Sequence, residues 1–412
     1  MRMKSNRILS VFISILMIVS ITGCGLFTPN NVDRSNDSVK NTTSAQKETE
    51  PETEPQTEPQ TEPPFEATTL NIKMIGDMLM HEGVTYSGQA ADGSFNFDHL
   101  FAHIKDDIQA ADVAIINQEV ILGGAELGIS GYPCFNTVYE VGDAIANAGF
   151  NVVLHATNHT IDMGAQGVDN CIDYWRKNHS DVGAIGINKT QEDTENIYVY
   201  EKGGIKVAVL NYTYGTNGIA LPEGREYIVN LLDEERIKKD VAKAKELANF
   251  VVVCPHWGAE YQYEPWNEYG SMYDQVNWAQ LFADCGVDLV IGSHPHVIEP
   301  VEWIEGKDGN KMLCYYSVGN FVSQQDAAPR MVGAMADVTI QDDKDGNVTI
   351  VDYAVTPLVT HKASGYQGIT TYKLSDYTEE LVWQNSICSQ DSQFSLQFCK
   401  DLCKQVFGDL YK

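Results

Sequence analysis

The chain has 412 residues and a formal net charge of −29, from 57 acidic and 28 basic side chains. A chain this acidic is a poor partner for nucleic acid or an anionic lipid surface, and a polyanionic substrate would need a local positive centre. No Cys-x-x-Cys pair occurs among the nine cysteines, so a structural zinc site is not expected.

The first residues have the features of an export signal. A short basic region precedes an apolar run from Ile8 to Ile21, which is short for a membrane span. The run ends in Ile21-Thr22-Gly23-Cys24, which resembles the bacterial lipobox. We therefore predict a lipoprotein signal peptide over residues 1–23, lipidation of Cys24, and anchoring at the extracellular face of the bacterial cytoplasmic membrane. A plain signal peptide with an incidental cysteine and an uncleaved anchor helix are the alternatives.

Residues 24–66 are polar and contain Thr-Glu-Pro repeats. Such a segment buries too little apolar surface to fold, so we predict a disordered stalk. The folded domain is expected over residues 67–362. Residues 363–412 form a carboxyl-terminal extension, for which one or two helices are predicted.

The domain alternates short apolar runs with segments of helical period, which is typical of an α/β fold. The predicted strands are Leu70–Ile75, Val113–Ile116, Val152–Leu154, Ile205–Leu210, Phe250–Cys254, Leu289–Ile291 and Met312–Tyr316. The predicted helices are His99–Ala111, Val141–Ala148, Gly167–Asn178, Tyr273–Cys285 and Glu234 to about Ala248, the last with Asp233 as its amino-terminal cap.

Polar residues that can bind metal follow several of these strands. They are Asp77, Asn117 and Glu119, then Asn158, His159 and Asp162, and later His256, Glu260, His294 and His296. Ligand sites in α/β sheets form beyond the carboxyl ends of the strands, so these side chains are expected to converge.

A cluster of Asp, Glu, Asn and His suits a divalent cation such as zinc, manganese or iron. Two such ions bridged by a carboxylate would hold a hydroxide at neutral pH, which predicts hydrolysis. The chain has no Gly-x-Ser-x-Gly elbow and no phosphate-binding loop with its lysine, so no rival catalytic apparatus is apparent.

Each piece alone has an ordinary explanation. Asp77 after Gly76 is typical of a turn in which the aspartate bonds the backbone. Glu119 could be a solvated surface residue, and His256 could be a histidine of the core. His294 and His296 are more specific, because Pro295 between them stiffens an extended turn that aims both rings toward one point.

At these residues the sequence resembles the capsule synthesis CapA proteins, which are associated with poly-gamma-glutamate and are distant members of the calcineurin-like metallophosphatase superfamily. The resemblance extends from about Ile72 to Phe321 and includes two further blocks, Asn211–Gly218 and Tyr316–Phe321. It implies a four-layer α/β/β/α sandwich with two mixed sheets and a metal centre at one rim.

By position, the resemblance implies that Asp77 and His296 hold one metal and that Glu119 bridges. Three further residues would hold the second metal: Asn158, His256 and His294. His159 would be the general acid, and Asp162 would either orient it or serve as a turn residue before Gly164.

Two positions depart from the superfamily pattern. The histidine usual two residues after the first aspartate is Leu79 here. His81 is a substitute ligand or, as we favour, a surface residue. The usual Asn-Asn-His is Thr157-Asn158-His159, so a one-metal centre is an alternative.

The leading hypothesis is a cell-surface metal-dependent hydrolase that cleaves an amide or phosphoester in an envelope polymer, with poly-gamma-glutamate as the substrate that the resemblance suggests. The predicted substrate-binding residues are Asn117, Tyr212, Trp257, Glu260 and Asn320, and the aromatic residues proposed to line a groove are Tyr132, Tyr212, Tyr214, Trp257, Tyr261 and Trp266. The alternative is a non-enzymatic, membrane-tethered scaffold of a polymer synthesis or export complex. A nucleotidase or phosphomonoesterase is a third hypothesis, by superfamily analogy alone.

Overall fold

Two mixed β-sheets form the centre of the fold in the computed structural model, which describes residues 65–363 and 368–411. The strands are β1 (Thr69–Met78), β2 (Val113–Asn117), β3 (Val152–Leu154), β4 (Gly183–Ile185), β5 (Tyr198–Lys202), β6 (Ile205–Thr213), β7 (Phe250–His256), β8 (Leu289–Ile291), β9 (Val301–Glu305), β10 (Lys311–Tyr315), β11 (Asn320–Val322), β12 (Val332–Asp342), β13 (Val348–His361) and β14 (Thr370–Lys373).

The α-helices are short to medium in length and lie mostly between strands. They are α1 (Glu82–Ser87), α2 (Lys105–Gln109), α3 (Glu140–Ala148), α4 (Gly164–Asn178), α5 (Glu234–Leu247), α6 (Val276–Cys285), α7 (Glu379–Gln384) and α8 (Leu396–Phe407).

The first sheet has the order β14-β13-β12-β1-β2-β3-β4, with β11 paired to β1, and the second has the order β5-β6-β7-β8-β10-β9. In the first sheet β1 to β4 run parallel, whereas β12 is antiparallel to β1. In the second sheet β6, β7, β8 and β10 run parallel, with antiparallel strands at both edges. The parallel strands of both sheets determine where the site lies.

Alternation of side chains along the strands builds three cores and hence four layers. On β6, Val207 and Val209 pack between the two sheets, whereas Ala208 and Leu210 face the outer helices. The inner core also contains Leu70, Ile72 and Met74 of β1. Helices α3 and α4 cover the outside of the first sheet, and α5 and α6 cover the outside of the second. This α/β/β/α arrangement with two mixed sheets confirms the predicted fold class.

The predicted elements within the domain are largely confirmed, and helix α5 shows why. The side chain of its cap, Asp233, accepts a hydrogen bond from the backbone N–H of Arg236 at 2.8 Å. Its stripe of Ile237, Val241 and Ala244 is buried. The predicted helix over residues 99–111 was wrong in extent, because only Lys105–Gln109 is α-helical and a short 3₁₀ turn precedes it.

The carboxyl-terminal part contributes both strand and helix. Strand β14 pairs with β13 and extends the first sheet, which the sequence pattern did not predict. Helices α7 and α8 occupy the segment for which one or two helices were expected, and Cys399 and Cys403 of α8 are buried in the inner core.

The predicted signal peptide, most of the stalk and the lipidation site Cys24 lie outside the described residues. Within the described residues, no helix has the length and apolar character needed to cross a bilayer.

Candidate metal centre

The carboxyl ends of parallel strands from both sheets meet at one rim, and the polar residues that follow them are buried there. Asp77 is the penultimate residue of β1, and His256 is the last residue of β7. The other members follow β2, β3 and β8. They are Glu119, Asn158, His294 and His296. The structure therefore brings together residues that are more than two hundred positions apart in sequence. The backbone N–H of His294, for example, donates to Asp77 Oδ2.

Glycine permits the close approach of backbone that places Asp77. A Cβ atom on Gly76 would lie 1.8 Å from the carbonyl oxygen of Gly319. The next residue, Asp77, uses its backbone N–H to bond that same oxygen at 3.0 Å. Only glycine at position 76 lets β1 end against this loop.

One side of the centre is formed by Asp77 and His296, with Glu119 beside them. His296 Nδ1 lies 3.2 Å from Asp77 Oδ2, and its Nε2 lies 3.7 Å from Glu119 Oε1. Asn117 donates to Asp77 Oδ1 at 2.7 Å, and Asn320 Oδ1 lies 3.0 Å from His296 Nδ1. These two amides hold the carboxylate and the ring in place.

The other side is formed by His256, His294 and Asn158. His256 Nε2 lies 3.0 Å from Asn158 Oδ1 and 3.8 Å from Glu119 Oε1. The rings of His256 and His294 are 4.7 Å apart between centroids. Glu119 thus lies between the two sides, with its Oε1 3.8 Å from His256 Nε2 and 3.7 Å from His296 Nε2.

The donor set fits a divalent cation. Glu119, His294 and His296 offer ligand atoms that all lie within 4.8 Å of one another. Both carboxylate oxygens of Glu119 and both ring nitrogens of His294 have no hydrogen-bond partner among the described residues, although both side chains are buried. A buried polar atom without a partner is costly unless something else satisfies it, and a divalent cation would do so.

Burial and mutual charge set the protonation of the cluster. Burial raises the pKa of Glu119 well above its usual range, and burial with the neighbouring histidines lowers the pKa of His256 and His294. Burial disfavours the charged form of His296, but the carboxylates of Glu119 and Asp77 outweigh it and raise its pKa to about 9. A bound cation would displace protons from such ligands, because a metal ligand has to be deprotonated.

The backbone at the centre is strained. Among the described residues, the non-glycine residues with positive φ are Asn217, Tyr261, His294 and His296, with φ of 51°, 66°, 100° and 59°. Such conformations cost about 1–3 kcal/mol each and concentrate at functional sites. The extended turn predicted around Pro295 was therefore wrong, because His294 on one side of it and His296 on the other adopt left-handed backbone.

His159 and Asp162 form a buried pair beside the cluster. His159 Nδ1 lies 2.7 Å from Asp162 Oδ2, and the same oxygen accepts the backbone N–H of Phe135 at 2.7 Å. The ring of Phe135 packs edge-on against His159 at 4.6 Å. Asp162 Oδ2 thus contacts the ring at Nδ1, as the orienting alternative requires, and Nε2 of His159 has one long contact, 3.5 Å from Asn217 Nδ2.

The departure at Leu79 is visible in the structure. Leu79 is buried in the outer core of the first sheet and offers no ligand. His81 does not belong to the compact donor group. Its Nδ1 faces the carbonyl of Leu79 and the backbone N–H of Gln324, and burial lowers its pKa to about 4. The Asp77 side of the centre therefore has fewer ligands than the His256 side.

Several predicted substrate-binding residues need correction. Tyr212 and Trp257 are fully buried in the outer core of the second sheet, bonded to Asp240 and to the carbonyl of Tyr316. They cannot contact a polymer. Asn117 and Asn320 are buried as well and position Asp77 and His296 instead of a substrate.

Other predicted residues do reach the surface near the centre. Glu260 is exposed and Tyr132 is 82% exposed. The ring of Tyr214 lies 4.6 Å from His294, and that of Tyr261 lies 6.0 Å from His296. Trp266 packs on Tyr273, at 6.4 Å between ring centroids. Of the aromatic residues predicted to line a groove, Tyr214 and Tyr261 therefore lie beside proposed metal ligands.

Two residues that the sequence did not indicate contact a proposed ligand and the neighbouring histidine. Ser293 Oγ lies 3.1 Å from His256 Nδ1, and its place between Gly292 and His294 was the only signal for it. No sequence pattern indicated Phe135, because its contact with His159 depends on a loop from another part of the chain.

Comparisons with known proteins identify the family of this chain. The family model "Bacterial capsule synthesis protein PGA_cap" matches residues 71–325. The chain is 28% identical over 222 residues to the "PGA biosynthesis protein CapA" of Bacillus subtilis, covering 53% of each chain. It is 27% identical over 272 residues to the "Capsule biosynthesis protein CapA" of Bacillus anthracis, covering 63% of this chain and 61% of that one. The chain thus spans between half and two thirds of the length of these relatives.

Solved structures with partial likeness include the calcineurin-like phosphoesterase YfkN of Bacillus subtilis, at 13% identity and a TM-score of 0.42, covering 70% of this chain and 91% of that one. The NAD nucleotidase of Haemophilus influenzae has 11% identity and a TM-score of 0.46, covering 84% and 58%. The family match covers well over half of the chain and includes every proposed metal ligand from Asp77 to His296. The chain therefore belongs to the bacterial capsule synthesis protein family, PGA_cap.

Proposed function

We propose that this protein is a metal-dependent hydrolase of an envelope polymer, lipid-anchored through Cys24 at the extracellular face of the cytoplasmic membrane. The observation that carries the enzymatic part is the set of buried donors without partners, Glu119 and His294, beside the His159–Asp162 pair. A cation-binding cluster next to a positioned proton donor is the arrangement that hydrolysis requires.

The chain's own residues have separable tasks in this proposal. Asp77 and His296 would hold a divalent cation on one side, Asn158, His256 and His294 would hold one on the other, and Glu119 would serve both sides. When bound, the cation would polarise the scissile group and lower the pKa of an attacking water molecule. His159 Nε2 would give a proton to the leaving group, because Asp162 holds the ring by Nδ1.

The proposed substrate is poly-gamma-glutamate or a related capsule polymer, cleaved at an amide or a phosphoester. The printed names of the two Bacillus relatives refer to capsule and PGA biosynthesis, and family membership supports an envelope polymer as the context. Tyr132, which is exposed, and Tyr261, whose ring lies 6.0 Å from that of His296, are the aromatic residues placed to contact such a chain.

The proposal is tested by replacing His256 or His294 with Ala and measuring metal content and hydrolysis together. Each variant is expected to lose both, because each removes a buried nitrogen of the donor set. His179→Ala is a matched control, since His179 pairs with Asp143 on the surface and should change neither quantity. Full activity in a metal-free variant would refute the enzymatic proposal.

A non-enzymatic scaffold of a polymer synthesis complex is a second candidate. The observation that favours it is the apolar Leu79, which leaves the Asp77 side short of a ligand. A scaffold has no use for the buried His159–Asp162 pair, which favours the enzyme. Stoichiometric metal together with turnover of a gamma-glutamyl amide or a phosphoester would decide for the hydrolase, and metal without turnover of either would decide for the scaffold.

A further inference from the structure

A lysine linked to the metal centre through two residues is buried without an ion-pair partner among the described residues. Lys362 is 4% exposed, and its ammonium group donates to the carbonyl oxygen of Gln325. Among the described residues it forms no ion pair and has no other hydrogen-bond partner. Burial accordingly lowers the pKa of Lys362 to about 8. An ammonium group has three N–H donors, so two of them have no acceptor among the described residues.

Residues 324–330, which include the hydrogen-bond acceptor of Lys362, also contact the metal centre. The side chain of Gln325 accepts from Asn320 Nδ2 at 2.9 Å and donates to the hydroxyl of Tyr261 at 3.4 Å. Asn320 in turn bonds His296, as described above. Lys362 is thus separated from a proposed metal ligand by two residues only, Gln325 and Asn320. Gln325 is itself partly exposed, so solvent reaches this segment.

The same segment carries a second cation. The guanidinium of Arg330 stacks over the ring of Tyr261, with Cζ 3.6 Å from the centroid. Its carboxylate partner, Asp326, is 3.5 Å away and 75% exposed at the side chain, so this pair is weak. Residues 324–330 together with Lys362 therefore carry two cations and a single acid, in a chain whose net charge is −29.

We propose that Lys362 and Arg330 form an anion-binding subsite that positions a carboxylate or phosphate group of the substrate beside the metal centre. The inference rests on the proposed function, because it assigns the subsite to the substrate of that same site. An oxyanion would accept hydrogen bonds from the two remaining N–H groups of Lys362. It would contact the guanidinium of Arg330 from the solvent side. The subsite supplies the local positive centre that an anionic polymer needs on this acidic chain.

Stability alone gives a poor account of this lysine. An unpaired buried charge destabilises the folded state, and replacing it by an apolar side chain of similar volume is often neutral or stabilising. The fold tolerates Lys362 at some cost, which is expected of a residue held for binding. Lys73, by contrast, is buried in β1 and paired with Asp337, as a structural lysine should be.

The test is a titration of the full chain with inorganic phosphate and, separately, with glutarate, followed by calorimetry. Both titrations are done on the chelated chain and on the manganese-loaded chain, with wild type, Lys362→Met, Lys362→Arg and Arg330→Gln. Lys73→Met is the matched control. The anion that binds more tightly identifies phosphate or carboxylate as the source of the oxyanion.

Lys362→Met is expected to weaken binding of the preferred anion by about tenfold or more, because a hydrogen bond to a charged group is worth at least that. Its Tm should stay the same or rise. Arg330→Gln should weaken binding to a smaller extent, Lys362→Arg should retain it, and Lys73→Met should lower the Tm with affinity unchanged. The proposal is overturned if wild type binds neither anion, if Lys362→Met binds as wild type does, or if its loss of affinity comes with a lower Tm. Binding is measured without turnover. If the chain binds an anion through Lys362 but hydrolyses no substrate, the result refutes the hydrolase proposal and leaves the subsite proposal supported.

Discussion

Replacing Asp162 with Asn tests the proposed proton donor without removing a metal ligand. Asp162 Oδ2 accepts from His159 Nδ1 at 2.7 Å, and its side chain is 1% exposed, so solvent does not compete for this bond. Asn is nearly the same size, but it is neutral and stabilises neither the required tautomer nor the protonated ring. We expect the metal content and the fold to stay unchanged while hydrolysis slows.

The size of the effect follows from the geometry of the pair. A hydrogen bond to a charged group contributes about 1.5–3 kcal/mol. If that amount is lost from the transition state, kcat falls about 10- to 150-fold. The fall in kcat should depend on the leaving group of the substrate. An alkoxide or amine needs a proton from His159, whereas p-nitrophenolate is stable without one.

The assay compares kcat for a p-nitrophenyl ester and for an alkyl ester of the same acid, together with metal analysis. Asp162→Asn should slow the alkyl ester strongly and the p-nitrophenyl ester little. Asp143→Asn is the control, because Asp143 makes a similar 2.7 Å contact to His179 at the surface. Equal slowing of both esters, or loss of metal, would refute the role assigned to the His159–Asp162 pair.

The remaining predictions concern assembly and pH. Gly76→Ala should lower the free energy of unfolding by about 3 kcal/mol, because its Cβ would lie 1.8 Å from the carbonyl oxygen of Gly319. Glu119→Gln should remove bound metal, measured by elemental analysis, without lowering the stability of the metal-free chain, since both oxygens of Glu119 lack partners. Burial raises the pKa of Glu299 to about 8, so the folded chain keeps a proton that the unfolded chain has released. Stability should therefore fall between about pH 5 and 8 by up to about 1.4 kcal/mol per pH unit, and Glu299→Gln should remove this slope in denaturant titrations.

Each of these has a control or a contrary outcome. Gly215→Ala should be nearly neutral, because the nearest atom to its Cβ would be 3.9 Å away, and equal losses at both glycines would contradict the crowding argument. Retention of stoichiometric metal in Glu119→Gln would contradict the bridging position. An unchanged pH slope in Glu299→Gln would show that Glu299 is ionised in the folded chain.

The ligand positions were predictable from the sequence because they depend on local order along the chain. Asp77 and His256 close apolar runs, and parallel strands end at a common rim. The same alternation would have excluded Tyr212, which shares its face of β6 with Ala208 and Leu210. The strand was predicted to stop at Leu210, so this pattern was not extended to it.

Other features depend on contacts that leave no local pattern. The buried environment of Lys362 arises from a loop near residue 325, and that of His159 from the loop that contains Phe135. The left-handed backbone at His294 runs against the usual preference of a residue before proline. Packing at the centre overrides that preference, and a single sequence does not reveal it.

Anomalous diffraction from crystals of the full chain, grown with manganese or zinc, tests the central claim most directly. The account predicts a peak enclosed by Glu119, His294 and His296, with ligand distances of about 2.0–2.2 Å. Hydrolytically active crystals with no anomalous peak at this rim would contradict it.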